Sequence, residues 1–308
     1  MRRCLTLSAL AVGLLVGATR IEAQSRPDRA TVPLLVEKNR PYITVTFRRP
    51  DGSTRSARFL IDTGGGGFLI TEPLARDLAL ELGATSREEG TEFATVTKPP
   101  EALVGTLPLE LNAGRVFVLI GKNNVLPNAN AGHAEGMLPG HVLARYHVVF
   151  DYPKATFTLA RPGVLTPQGD PSPMPVSKQQ GFPRTELEVN GVKHGFLLDT
   201  GASFTMVSDA LLKTWGREHP DWPRHPGAFG EAATLGGQTL ETMFVPRGVW
   251  QSHQLEEFGV TSQREGTFER YMSGMMTAPI VGALAGNVLK HFRLELDYAN
   301  EKLYISAR

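Results

Sequence analysis

The chemistry in this sequence is concentrated in one tripeptide that occurs twice. Asp62-Thr63-Gly64 and Asp199-Thr200-Gly201 lie 137 residues apart. A lone aspartate in such a setting is as often a turn former as a reactive group. Two in matching settings are different, because carboxylates in contact cannot both ionise easily and hold one proton between them over a wide pH range. The ionised member then acts as a general base toward a bound water, and the protonated member donates to a carbonyl oxygen. That combination hydrolyses an amide without a covalent intermediate, a metal or a cofactor. The neighbouring residue types suit the task. Gly64 and Gly201 let backbone N–H groups come close to a carboxylate, and the Thr63 and Thr200 hydroxyls can bond to a neighbouring backbone.

Such a pair works only if the chain brings both members to one place, and the sequence repeats as that requires. Residues 59–71 (FLIDTGGGGFLIT) match 196–208 (FLLDTGASFTMVS) in register. In each, three apolar residues lead into the aspartate, a pattern expected of a strand buried on both faces that delivers its last residue deep inside. Asp51-Gly52 and Asn190-Gly191 stand upstream as tight-hairpin signals. Before them run alternating strands, Ile43, Val45 and Phe47 in one copy, Leu187 and Val189 in the other. Thr71 and Ser208 are the expected N-caps of a following helix. The copies also end alike: residues 136–152 (GMLPGHVLARYHVVFDY) match 282–298 (GALAGNVLKHFRLELDY) at an offset of 146. Asp151 and Asp297 recur there as turn residues between the last strands. Residues 32–161 and 179–308 therefore form two similar units. Residues 162–178, rich in proline, are expected to be a semi-rigid linker.

Composition bounds the rest. The chain has 308 residues, 41% hydrophobic and 20% charged, which is globular rather than disordered or fibrous. A net charge of +1 lacks the basic footprint of a nucleic-acid binder. Arg2 and Arg3 precede a short apolar stretch, so residues 1–23 read as an export signal, with Ala23 as the residue before cleavage and a periplasmic or secreted destination. The remainder carries 29 basic and 30 acidic residues and no stretch fit to cross a membrane. The single cysteine, Cys4, falls within that signal, so neither a disulfide framework nor a cysteine metal site is expected.

With the doubled Asp-Thr-Gly and the doubled Gly-x-Leu…Val-Leu…Asp-Tyr ending, the chain resembles the pepsin and retropepsin superfamily of aspartic peptidases. It is most like the exported bacterial retropepsin-like proteins that carry both lobes in one chain. The likeness spans about residues 33–308. It implies a mostly β fold of two pseudo-symmetric β-barrel lobes, with Asp62 and Asp199 as catalytic residues. It further implies that Thr63 and Thr200 grip each other across the lobes while Gly64 and Gly201 orient the carboxylates. A polypeptide substrate would lie in the inter-lobe cleft, the chain would be a monomer, and no cofactor, nucleic acid or metal would be needed. Residues 89–105 and 228–237 are the expected flaps. Gly65-Gly66-Gly67 reads as a flexible stretch, and Pro139 and Ala285 stand where the family has a glycine-ended apolar string.

Other chemistries fit less well. No Gly-Lys-Ser/Thr follows Gly64–Gly67, so a phosphate loop is excluded, and no Gly-x-Ser-x-Gly surrounds Ser203. The eight histidines are scattered and include no His-Glu-x-x-His; His219 and His225 are expected in a surface loop. Leu74, Leu78 and Leu82 read as core packing. The rival of another class is a peptidase-like module that binds peptides without cutting them. A glycosidase with two carboxylates fails because its acid and base need not sit in identical repeated loops.

Overall fold

The apolar runs ahead of the two aspartates are the innermost strands of the molecule. In a computed structural model, which describes residues 27–88, 91–121, 126, 134–226, 241–263 and 266–307, Phe59-Leu60-Ile61 and Phe196-Leu197-Leu198 are fully buried. Each run has a partner strand on both sides. Thr54–Asp62 pairs antiparallel with Arg40–Arg48 and parallel with Gly136–Pro139. Val192–Leu198 does the same with Arg184–Val189 and Gly282–Leu284. Burial on both faces explains why neither run alternates in polarity. Phe59 and Ile61 face the main core, whereas Leu60 faces a smaller cluster with Tyr42, Leu69 and Met137.

The duplication extends to the order of every strand. From one edge, the first sheet runs Leu82–Glu88, Thr91–Val96, Val116–Ile120, Phe68–Thr71, Gly136–Pro139, Thr54–Asp62, Arg40–Arg48, Ala102–Val104, Leu107–Pro108, with Leu35–Glu37 added beside Arg40–Arg48. The second runs Arg224–His225, Thr242–Val245, Phe258–Gln263, Thr205–Ser208, Gly282–Leu284, Val192–Leu198, Arg184–Val189, Gly248–Trp250, His253–Leu255. The two orders correspond position by position.

A third, six-stranded sheet joins the units: Arg29–Pro33, Thr156–Ala160, His147–Asp151, Phe292–Asp297, Lys302–Ala307, Pro171–Pro173. At its centre His147 lies opposite Asp297, Val149 opposite Glu295, and Asp151 opposite Arg293. With the 146-residue offset of the repeat, this register maps onto itself, so a local twofold axis passes through the Val149–Glu295 pair. Glu295 is buried there, with His147 Nε2 at 2.8 Å and Arg293 Nη2 at 2.7 Å from its two oxygens. Burial alone would raise the Glu295 pKa; the bonds from His147 and Arg293 outweigh it and hold the carboxyl below its usual range.

Several sequence expectations are corrected. The described fold is mostly β, but none of its three sheets closes into a barrel. The end strands Leu82–Glu88 and Leu107–Pro108 do not pair with each other, and two residues at the latter edge offer too short a ladder for closure. Residues 162–178 are more than a linker: Pro171–Pro173 is an edge strand beside Lys302–Ala307, a place where missing N–H groups cost nothing, and Met174 is fully buried behind it. Leu74 and Leu78 are core residues, but Leu82 is 45% exposed, because the helix Glu72–Asp77 ends before its spacing reaches that position. Thr71 precedes that helix without a side-chain cap bond, whereas Ser208 accepts from Leu211 N. His219 and His225 lie in a segment that is largely exposed apart from Trp222, as expected of the surface, but it is not all loop: His219 stacks on buried Trp222, and His225 belongs to the strand Arg224–His225. The edge hairpin of the first sheet spans 82–96 rather than 89–105, and 102–104 lies at the opposite side. Residues 1–23, 89–90 and 228–237 lie outside the described residues.

Asp151 and Asp297 are turn residues, as expected. Their Oδ1 atoms accept from Lys154 N and Asn300 N at the turns after their strands. Asn190 and Gly191 both take positive φ in a two-residue hairpin, while the Asp51-Gly52 connection is longer, with Asp51 Oδ1 accepting from Ser53 N. Among the described residues no helix is long and apolar enough to cross a membrane.

Candidate active site

Both aspartates stand at the end of a central strand, where a helical turn from the same unit closes in beneath the loop. Asp62 pairs with Pro139, and Asp199 N donates to Leu284 O. The next residues begin the short helices Gly140–Leu143 and Gly286–Leu289. Gly140 N donates to Gly65 O, and Gly286 N donates to Ala202 O, so each helix holds the loop that follows its own aspartate. Pro139 and Ala285 leave these bonds intact.

The two loops then lock onto each other. Thr63 N donates to Thr200 Oγ1 (3.1 Å), and Thr200 N donates to Thr63 Oγ1 (3.0 Å). Each hydroxyl passes its own proton to the opposite strand: Thr63 Oγ1 to Leu198 O (2.5 Å) and Thr200 Oγ1 to Ile61 O (2.8 Å). Both threonines are completely buried. Replacing Thr200 with valine keeps the shape and leaves Thr63 N–H and the Ile61 carbonyl without this partner. We expect a loss of about 2–6 kcal/mol in urea unfolding, from two orphaned groups at about 1–3 kcal/mol each. The Thr63→Val/Thr200→Val double variant should cost clearly less than the sum of the singles, because the bonds are shared.

Above this lock, each carboxyl lies across the other copy's glycine. A Cβ built on Gly201 would stand 2.2 Å from Asp62 Cγ, and one built on Gly64 would stand 3.0 Å from Asp199 Cγ. The two carboxyls adjoin closely enough that each acts on the other's protonation. Asp62 Oδ1 accepts from Gly64 N (2.9 Å), and Asp199 Oδ1 accepts from both Gly201 N (2.9 Å) and Ala202 N (3.0 Å). The second donor makes the pair unequal. Burial pushes the Asp62 carboxyl well above the ordinary range, the Asp199 charge pushes it further, and Gly64 N–H and Arg40 oppose this. Burial raises Asp199 as well, against the Ala202 and Gly201 N–H groups, the adjoining Asp62 and the Arg40 charge. With two backbone donors against one, negative charge is better supported on Asp199, which favours the proton on Asp62.

Arg40 was not anticipated from the sequence. It is 0% exposed, and its Nε donates to Gly201 O at 2.8 Å, placing a cation beneath the pair. The strand registers equate Arg40-Pro41 with Phe182-Pro183, so one copy carries a charge where the other carries an aromatic ring. That mismatch between aligned copies is the signal that could have revealed it.

Gly65-Gly66-Gly67 is not slack. A Cβ on Gly65 would lie 2.7 Å from Met137 Cε and 2.9 Å from Asp62 Oδ2, and one on Gly67 would lie 2.7 Å from Phe117. The glycines let Met137 and Phe117 pack directly under the loop, which holds Asp62 in place. Of the expected site residues, Asp62, Thr63, Gly64, Asp199, Thr200 and Gly201 are thus gathered at a single locus. No protein-family model and no curated protein matches the chain.

Proposed function

We propose that the protein is an aspartic endopeptidase of the two-lobed, pepsin-like kind, in which a water held between Asp62 and Asp199 attacks the scissile carbonyl of an extended polypeptide. The reading is carried by one observation: two carboxyls from equivalent strand ends each lie over the other copy's glycine, with reciprocal threonine bonds below. In the reaction, ionised Asp199 takes a proton from the water as its oxygen attacks. Asp62 gives its proton to the carbonyl oxygen, so the tetrahedral intermediate is neutral. Proton transfer to the departing nitrogen then breaks the C–N bond and restores the pair. The chain's own pseudo-twofold supplies both aspartates, so the monomer suffices, and the location is the exported one indicated by the N-terminal segment. The substrate would add as a strand in the cleft between the lobes.

Unfolded casein incubated with the mature protein across pH 3–7 tests the reading. Cleavage should be strongest at acid to mildly acid pH and absent from Asp62→Asn and Asp199→Asn. A statine-containing peptide should inhibit it. Cleavage by either variant at the wild-type level, or a folded wild type that leaves casein intact at every pH, rejects it.

A further inference from the structure

A polar cavity of about 450 Å³ opens between the first unit and the segment leading into the second. Its wall includes Arg115, His141, Arg145 and Lys178, with Tyr298 and a single acid, Glu301. The cations are poorly neutralised. Arg115 makes no ion pair among the described residues; its guanidinium donates to Gln179 O, Gly66 O and Gln180 Oε1. Two of its five N–H donors remain for something else. Burial and the nearby Arg145 charge both lower the Arg115 pKa, the behaviour of a cation facing another cation. Among the described residues Arg145 pairs only with Glu110, at 3.5 Å, and Glu110 is already shared with Arg161. The His141 Nδ1 is buried with no hydrogen-bond partner among the described residues, and burial plus the Arg115 and Arg145 charges lower its pKa to about 4. The wall therefore carries three full positive charges against one negative.

The repeat supplies an internal control. The register places Gly259, Asn287 and His291 at the positions equivalent to Arg115, His141 and Arg145. There the carbonyl equivalent to Gly66 O, that of Ser203, is held by Asn39 Nδ2 and Asn287 N instead. The fold can thus fasten this loop with neutral amides, and the positive cluster in the first unit is not required for that purpose.

We infer that this cavity binds a small oxyanion, a carboxylate or a phosphate, at Arg115, Arg145 and Lys178. Because Arg115 also holds the Gly66 carbonyl, four residues past Asp62, an occupied site bears on the loop that carries the acid. Binding itself needs no peptidase activity. Calorimetric titration of the mature protein with inorganic phosphate and, separately, with acetate, at constant ionic strength, tests it. Saturable binding of at least one anion is expected, and the tighter of the two assigns the ligand class. Arg145→Gln, a rim substitution, should weaken it about tenfold, as loss of one charge-assisted partner does. His291→Gln at the mirror position and Asp62→Asn should leave it unchanged. In ring-nitrogen NMR the His141 titration should move upward when anion is bound. Absence of saturable binding by either anion, binding indifferent to both Arg145→Gln and Lys178→Gln, or binding lost in Asp62→Asn overturns the inference.

Discussion

Gly201→Ala should abolish the proposed cleavage and destabilise the fold, while Gly64→Ala does far less of either. The added methyl at position 201 would fall 2.2 Å from Asp62 Cγ and within 2.6 Å of both its oxygens. Contacts that short force the carboxyl or the backbone to move, and Asp62 has little room, since Met137 and Gly65 close the other side. Overpacking of this kind costs about 1–3 kcal/mol. The displacement of a reacting group by about 1 Å costs about 10²-fold in turnover. At position 64 the nearest atoms, Asp199 Cγ and Oδ2 and Leu197 Cδ2, stand 3.0 to 3.1 Å away. A shift of a few tenths of an ångström relieves them, so we expect a cost of about 1 kcal/mol and a folded, partly active protein. Denaturant midpoints and casein turnover of the two variants, side by side, check this. Equal behaviour would mean that the unequal packing has no consequence.

The two aspartates should part company in stability even though either substitution removes cleavage. General acid–base groups contribute about 10²–10⁴-fold each, so Asp62→Asn and Asp199→Asn should both fall by at least that order. Stability should move the other way. Both carboxyls have folded-state pKa values raised by burial, Asp62 the more so. A raised carboxyl pKa means that the folded state binds its proton more readily than the unfolded chain does. The native pair is therefore least strained below about pH 4, where the unfolded carboxyl is also protonated, and loses stability as pH climbs through the folded value. Asp62→Asn removes that penalty and leaves Asp199 with its two backbone donors. At pH 7 it should be more stable than wild type by about 1–2 kcal/mol, the size common for single stabilising changes. Asp199→Asn should gain less, because the carboxyl that remains is the poorly supported one. At pH 3 the three proteins should converge. Urea unfolding at pH 3, 5 and 7 decides it, and parallel curves for wild type and Asp62→Asn would show that the pair stores no such strain.

The aspartate pair was legible in the sequence because its signal is redundant. The Asp-Thr-Gly tripeptides, the apolar runs before them and the Asp-Tyr endings all repeat in register, and chance does not repeat a context. What escaped depends on contacts that no local pattern encodes. Arg40 lies far in sequence from Gly201 and looks like an ordinary residue ahead of a strand until the structure shows it fully buried. Gly65-Gly66-Gly67 suggests slackness because glycine is permissive, yet Met137 and Phe117 fill the space its missing side chains leave. Residues 162–178 suggest a linker because proline is common there, while an edge strand tolerates proline equally well. Barrel closure was assumed from the family likeness, and it turns on edge pairings that neither periodicity nor turn signals can report.

The self-matching register at the centre of the six-stranded sheet bears on how such a chain could arise by gene duplication. Cut apart, the first half could dimerise with its own kind: His147 would face Asp151 in both directions, with Val149 against Val149 on the axis. The second half would offer Arg293 to Asp297 but would set Glu295 against Glu295, two like charges directly opposed inside a sheet. The first half thus matches itself across the axis more readily than the second, where each Glu295 would rely on its own Arg293 for a counter-charge.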